Sequence, residues 1–98
     1  VVDILSFVIQ SADISVGSLR RRDVVAKTID ERFVIQGLAL ARYGIDTVTV
    51  NGVEAKIEVT NDRRSSRWEV DLPAYTEELR IVSEDVFGNR VSSFYETP

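Results

Sequence analysis

Three groups of side chains in this 98-residue chain are of types that could do chemistry. Glu84, Asp85 and Asn89 gather oxygen donors near one point, with Asp46 and Asp62 as further candidates. Calcium takes roughly six to eight oxygen ligands, so the cluster is a calcium candidate. Against it, the chain has no Asp-x-Asp run, and Asp85 and Asn89 equally suit a tight turn whose side chains bond the backbone. Arg20-Arg21-Arg22, and Arg63 and Arg64 with Arg67, form the basic clusters. They could contact an anionic polysaccharide or a phosphate. The alternative is a pair of solvated loops or edge strands, where charge discourages edge-to-edge aggregation. Trp68, Tyr43, Tyr75 and Tyr95 could offer a platform for sugar rings. Trp68 shares a strand face with Val70 and Leu72 and is assigned to the core, which leaves Tyr75, in the loop after Pro73, as the exposed aromatic. The candidate ligand residues are therefore Arg63, Arg64 and Tyr75, and the candidate metal ligands Glu84, Asp85 and Asn89.

Catalysis finds little support. Histidine and cysteine are both absent, which removes the commonest general base and the thiolate nucleophile. Lys27 and Lys56 stand in no Ser-x-x-Lys pattern, nothing marks a glycosidase-type carboxylate pair, and a domain this small offers little cleft. The expectation is a non-enzyme with no cofactor unless calcium. A net charge of −4 argues against nucleic acid as a partner. The lack of cysteine rules out disulfides but leaves the compartment open. With no methionine even at position 1, the chain reads as a domain taken from a longer polypeptide. Its apolar start, residues 4–9, is too short to span a bilayer and has no basic flank or cleavage site of a signal peptide.

Whatever these groups do, strands must position them. Val48 to Val59 reads as a β-hairpin around Asn51-Gly52, the pair that tolerates the positive φ angles of a type I′ turn. Folding there sets Val50 against Val53, Val48 against Ala55 and Asp46 against Ile57. Thr47, Thr49, Glu54, Lys56 and Glu58 then line a wet face. Phe33 to Leu40 carries apolar groups on both faces and reads as a central strand, with Gly37 marking a bulge or the close approach of a bulky ring. Trp68, Val70 and Leu72 alternate with Glu69 and Asp71 until Pro73 stops the ladder. Leu79 to Glu84 and Val91 to Tyr95 flank a turn at Phe87-Gly88-Asn89. Leu19 to Ile29 is less legible, fitting a turn of helix or a short edge strand. About seven short strands at this spacing predict an all-β sandwich.

Four segments also resemble a bacterial immunoglobulin-like domain of secreted and cell-surface proteins. They are Ile35-Gln36-Gly37, Gly44 to Gly52, Trp68 to Pro73, and Ser83 to Asn89, in that order. The match spans roughly residues 33–95. It implies an immunoglobulin-like β-sandwich over residues 13–95, with 1–12 a linker or extra N-terminal strand and 96–98 an exit linker. It also implies an extracellular, cell-surface or periplasmic location. The partners implied are neighbouring domains of the same polypeptide, with a polysaccharide or surface protein as further candidates. In function such modules are spacers, stalks, adhesive tips and accessory domains. Phe87 departs from the pattern, since that position often holds a small residue.

Overall fold

Alternation of apolar and polar residues recurs along nearly the whole chain, and the backbone follows it into strands. The computed structural model describes residues 5–10, 14–29, 32–59 and 65–97. In order these form β1 (Leu5–Gln10), β2 (Ile14–Val16), β3 (Leu19–Ile29), β4 (Arg32–Ala41) and β5 (Ile45–Val50). After them come β6 (Val53–Glu54), β7 (Lys56–Val59), β8 (Ser65–Leu72), β9 (Glu78–Asp85) and β10 (Arg90–Glu96). No helix occurs among the described residues, so none is long and apolar enough to cross a membrane.

All pairings are antiparallel. One sheet runs β1-β3-β4-β8-β7 with β2 also beside β3; the other runs β10-β9-β5-β6. Removing β1, β2 and β6 leaves seven strands ordered β3-β4-β8-β7 and β10-β9-β5, an order compatible with an immunoglobulin-like sandwich. The ten segments thus exceed the seven expected from sequence. Two lie along the outer side of β3, and a third is a fragment of the central hairpin.

That hairpin departs most instructively from expectation. Asn51 and Gly52 do take positive φ, 52° and 81°, and Val50 does face Val53. The ladder continues through Thr49–Glu54 and the bond from Ala55 N to the Val48 carbonyl, 2.7 Å. There the chain leaves for the other sheet, where Ile57 pairs with Trp68 rather than Asp46. The switch gives β8 a neighbour and lets Ile57 pack against the core from that side. Leu19–Ile29 also differs: it is an eleven-residue strand inside its sheet, not an edge.

The main core joins Val24, Phe33, Ile35, Trp68 and Val70 of the larger sheet to Val48, Val50, Leu79 and Ile81 of the smaller. Burial of such side chains contributes about 1.5–3 kcal/mol each. Gly37 sits directly opposite Trp68. A Cβ on it would stand 2.4 Å from the indole Cζ2, so the ring occupies the space that only glycine leaves. On the other side of Gly37, β3 bulges between Arg22 and Val25, with Asp23 at φ 56°. A smaller cluster, Leu19, Ala41 and Val91, closes one end.

The turns divide between two ends of the sandwich. One end holds Gly17 and Ser18, Arg42 to Gly44, and Val86 to Asn89. The other holds the Asn51-Gly52 turn and residues 73–77, tied by Asn51 to Glu78 and Arg80. β1 starts at this second end, with Leu5 beside Thr28, and β10 finishes there, with Glu96 beside Glu78.

Candidate functional site

Asp85 is 2% exposed, and its carboxylate is consumed by its own turn. Oδ1 accepts from the backbone N–H of Phe87 and of Asn89, each at 2.9 Å, and Oδ2 accepts from the Asn89 side-chain amide at 2.8 Å. The Asn89 side chain, ahead of the backbone donors, holds this carboxyl below the usual carboxylate range, against the opposing effect of burial. Glu84 alternates to the opposite face, where Arg90 Nη2 lies 3.0 Å from its carboxylate. Glu84, Asp85 and Asn89 therefore do not converge on a common point, and the corner is a side-chain-braced turn. Among the described residues no group of three or more acidic, cysteine or histidine ligands comes together.

The basic clusters separate as well. Arg63, Arg64 and Asp62 lie outside the described residues. Arg20 and Arg22 are exposed, whereas Arg21 is completely buried, so neither a solvated loop nor an anion contact describes it. Its Nη1 donates to the Ile81 carbonyl at 2.9 Å, and its Nη2 donates to Ser93 Oγ and to Tyr95 Oη, the latter at 3.3 Å. The guanidinium carbon stands 5.9 Å from the Tyr95 ring centroid. Burial lowers the Arg21 pKa, with the Tyr95 hydroxyl opposing; an arginine stays protonated nonetheless. Arg21 thus reaches from the larger sheet to both β9 and β10 of the smaller.

The aromatic residues separate into core and surface. Trp68 is buried as expected, but its Nε1 has no hydrogen-bond partner among the described residues. Tyr75 is 47% exposed and tilts against Phe33 with centroids 5.1 Å apart. It follows the finish of β8, while residues 63 and 64 precede its start. An eight-residue strand spans about 26 Å.

A different surface emerges from the turns that meet at the first end. Tyr43, between β4 and β5, and Phe87, between β9 and β10, pack edge to face with centroids 4.8 Å apart. Both rings are exposed, at 58% and 68%, and Val86 beside them is also exposed. The Val86 N–H donates to the Gly44 carbonyl at 3.2 Å, joining the two turns. The Arg42 guanidinium lies 5.4 Å from the Tyr43 centroid. The Asp85 brace sets the path of the Val86–Asn89 turn, so the corner considered for calcium instead fixes Phe87. The unusual phenylalanine at 87 was visible in the sequence; its pairing with Tyr43 depends on both turns reaching the same end.

The outer face of the larger sheet forms a shallow groove of about 600 Å³ whose rim includes Asp23, Gln36, Lys56, Glu58, Arg67 and Glu69. Gln36 Nε2 donates to Glu69 Oε1 at 2.8 Å. With both charge signs interspersed, the groove presents no field of one sign. Compared with family models, with curated proteins and with solved structures, the chain finds no match.

Proposed function

We propose that the domain is a non-catalytic immunoglobulin-like module of a larger bacterial secreted, periplasmic or surface protein, orienting neighbouring domains and offering one contact surface. The four-segment resemblance and the strand order support the family reading. The absence of histidine and cysteine supports a role without catalysis. The observation that carries the contact role is the Tyr43–Phe87–Val86 patch. Exposed tyrosine and phenylalanine rings beside an arginine have the composition of protein-binding hot spots. The patch lies at the end opposite the start of β1 and the finish of β10, so an attachment through those strands leaves it free to meet a partner. A partner protein is favoured over a sugar here, because the two rings stand at 84° to each other rather than forming one flat platform. Exposed Tyr75 supports carbohydrate as the second reading, at the other end.

The full-length reading frame tests the first part. An export signal and further domains are expected; a product consisting of this domain alone without an export signal overturns it. For the contact role, Tyr43→Ser with Phe87→Ser is compared with Tyr75→Ser, using a glycan array and the neighbouring domains as probes. Loss of domain binding only in the Tyr43/Phe87 variant supports the patch, and glycan binding lost with Tyr75 supports the second reading. Binding that survives all three substitutions overturns both.

A further inference from the structure

Open sheet edges are templates for strand pairing, and proteins blunt them by shortness, charge, bulges or interruption. Among the described residues, three of the four sheet edges are blunted. β6 has two residues and β7 has four, including Lys56 and Glu58. On the remaining edge of the larger sheet, β1 and β2 are separate strands, and β1 carries a register shift between Val8 and Gln10. β10 is different. It runs seven residues in unbroken register with β9, and among the described residues no strand pairs on its other side. Midway along it Phe94 is 57% exposed.

We infer that β10 pairs antiparallel with β10 of a second copy of this chain, about a two-fold axis at Ser93, giving one eight-stranded sheet across the dimer. Three features of the strand select a second copy over a foreign strand. First, this register sets Arg90 opposite Glu96 of the partner, twice by symmetry. Within one chain Glu96 lies directly across from Glu78, and like charges so placed are unfavourable. Neither carboxylate has an ion-pair partner among the described residues. The partner subunit's Arg90 supplies the missing cation, while Arg90 keeps its own neighbour Glu84. Second, Phe94 falls opposite Ser92 of the partner, so the two Phe94 rings become diagonal neighbours, a separation of about 7–8 Å that aromatic side chains bridge. Each then covers surface that is exposed in the single chain. Third, the side chains that meet at the axis are those of Ser93 and its copy, small enough to stand directly opposite each other without crowding. The inference rests on this edge alone and is independent of the module reading above.

The test measures mass against concentration by sedimentation equilibrium, with melting temperature as the check on folding. Wild type is expected to move from monomer to dimer as concentration rises. Glu96→Arg removes the clash with Glu78 inside the chain, so its melting temperature holds or rises. Across the axis it sets Arg against Arg twice and weakens the dimer about tenfold. Arg90→Glu with Glu96→Arg reverses both signs across the axis and restores the dimer, while inside the chain it trades the clash at Glu78 for one at Glu84, which the melting temperature reads; Phe94→Ser weakens the dimer without loss of fold. A wild-type protein that stays monomeric up to about 1 mM overturns the inference. So does a dimer indifferent to Glu96→Arg and Phe94→Ser, which would place the second copy elsewhere.

Discussion

Replacing Gly37 by alanine probes the close approach of the Trp68 ring to that glycine. The new Cβ would lie 2.4 Å from Trp68 Cζ2, 2.7 Å from Cε2 and 3.0 Å from Nε1. Ordinary carbon contacts begin near 3.5 Å, so the indole must retreat by about 1 Å. It cannot do so freely, because Ile57 flanks it on β7 and the buried core surrounds it. Overpacking of this kind costs about 1–3 kcal/mol. The clash involves a rigid ring and three of its atoms, which puts the expected loss at the upper end, about 2–3 kcal/mol. For a domain of this size that is a drop of about 10–20 °C in melting temperature. Trp68 is the sole tryptophan, so its fluorescence reports the displacement directly: the emission should shift as the ring moves. Gly52→Ala is the control. Nothing lies within 4 Å of a Cβ there, yet φ is 81°, so it should lose about 1 kcal/mol through backbone strain alone, with emission unchanged. A Gly37→Ala protein that melts with wild type and emits identically would refute the packing argument.

The remaining predictions concern the buried cation, the braced turn and the exposed rings. Arg21→Ala removes the second donor to the Ile81 carbonyl and the guanidinium bond to Ser93 Oγ and opens a cavity, and should cost about 2–5 kcal/mol in urea unfolding, whereas Arg21→Met, which refills the volume, should recover at least half; equal losses would show that volume is not the issue. Because folding holds the Asp85 carboxyl below its unfolded value, its stabilisation is complete above about pH 5 and fades as pH falls through the lower carboxylate range. Asp85→Asn lacks this dependence, so its melting deficit should shrink on acidification; a deficit constant with pH would show that the charge contributes nothing. Tyr43→Ala and Phe87→Ala, combined in a double-mutant cycle, should couple by about 0.5–1 kcal/mol; additive losses would mean that the rings do not touch in solution.

What sequence could reveal here followed from local pattern. The Asn51-Gly52 turn was legible because few residue pairs accept two positive φ angles, and the contact at Gly37 because a glycine within a strand leaves room for something large. The onward course of the hairpin was not, since either sheet offers Ile57 an apolar inner face and alternation cannot choose between them. Arg21 escaped for a sharper reason. Counting back by twos from buried Val24 points Arg22 inward and Arg21 out. The bulge at Asp23, invisible in the alternation, reverses that parity and sends Arg21 into the core. At the candidate site, Phe87 stood out as an unusual residue, but its meeting with Tyr43 is a long-range consequence of strand order. The calcium candidates were near neighbours in sequence, yet strand alternation turns Glu84 away from Asp85.

Arg21 also bears on how the two layers are aligned. Aliphatic contacts are nearly indifferent to a small slide of one sheet over the other, because one methyl group replaces another at little cost. Hydrogen bonds are not. From β3, the Arg21 guanidinium is anchored to the Ile81 carbonyl on β9 and to Ser93 and Tyr95 on β10. A displacement of one residue, about 3.4 Å, would strand a buried charge and its acceptors together. Among otherwise similar apolar packings, that single side chain penalises every misaligned one at once. It works as a locating pin, giving a core of interchangeable hydrophobic residues one preferred seat.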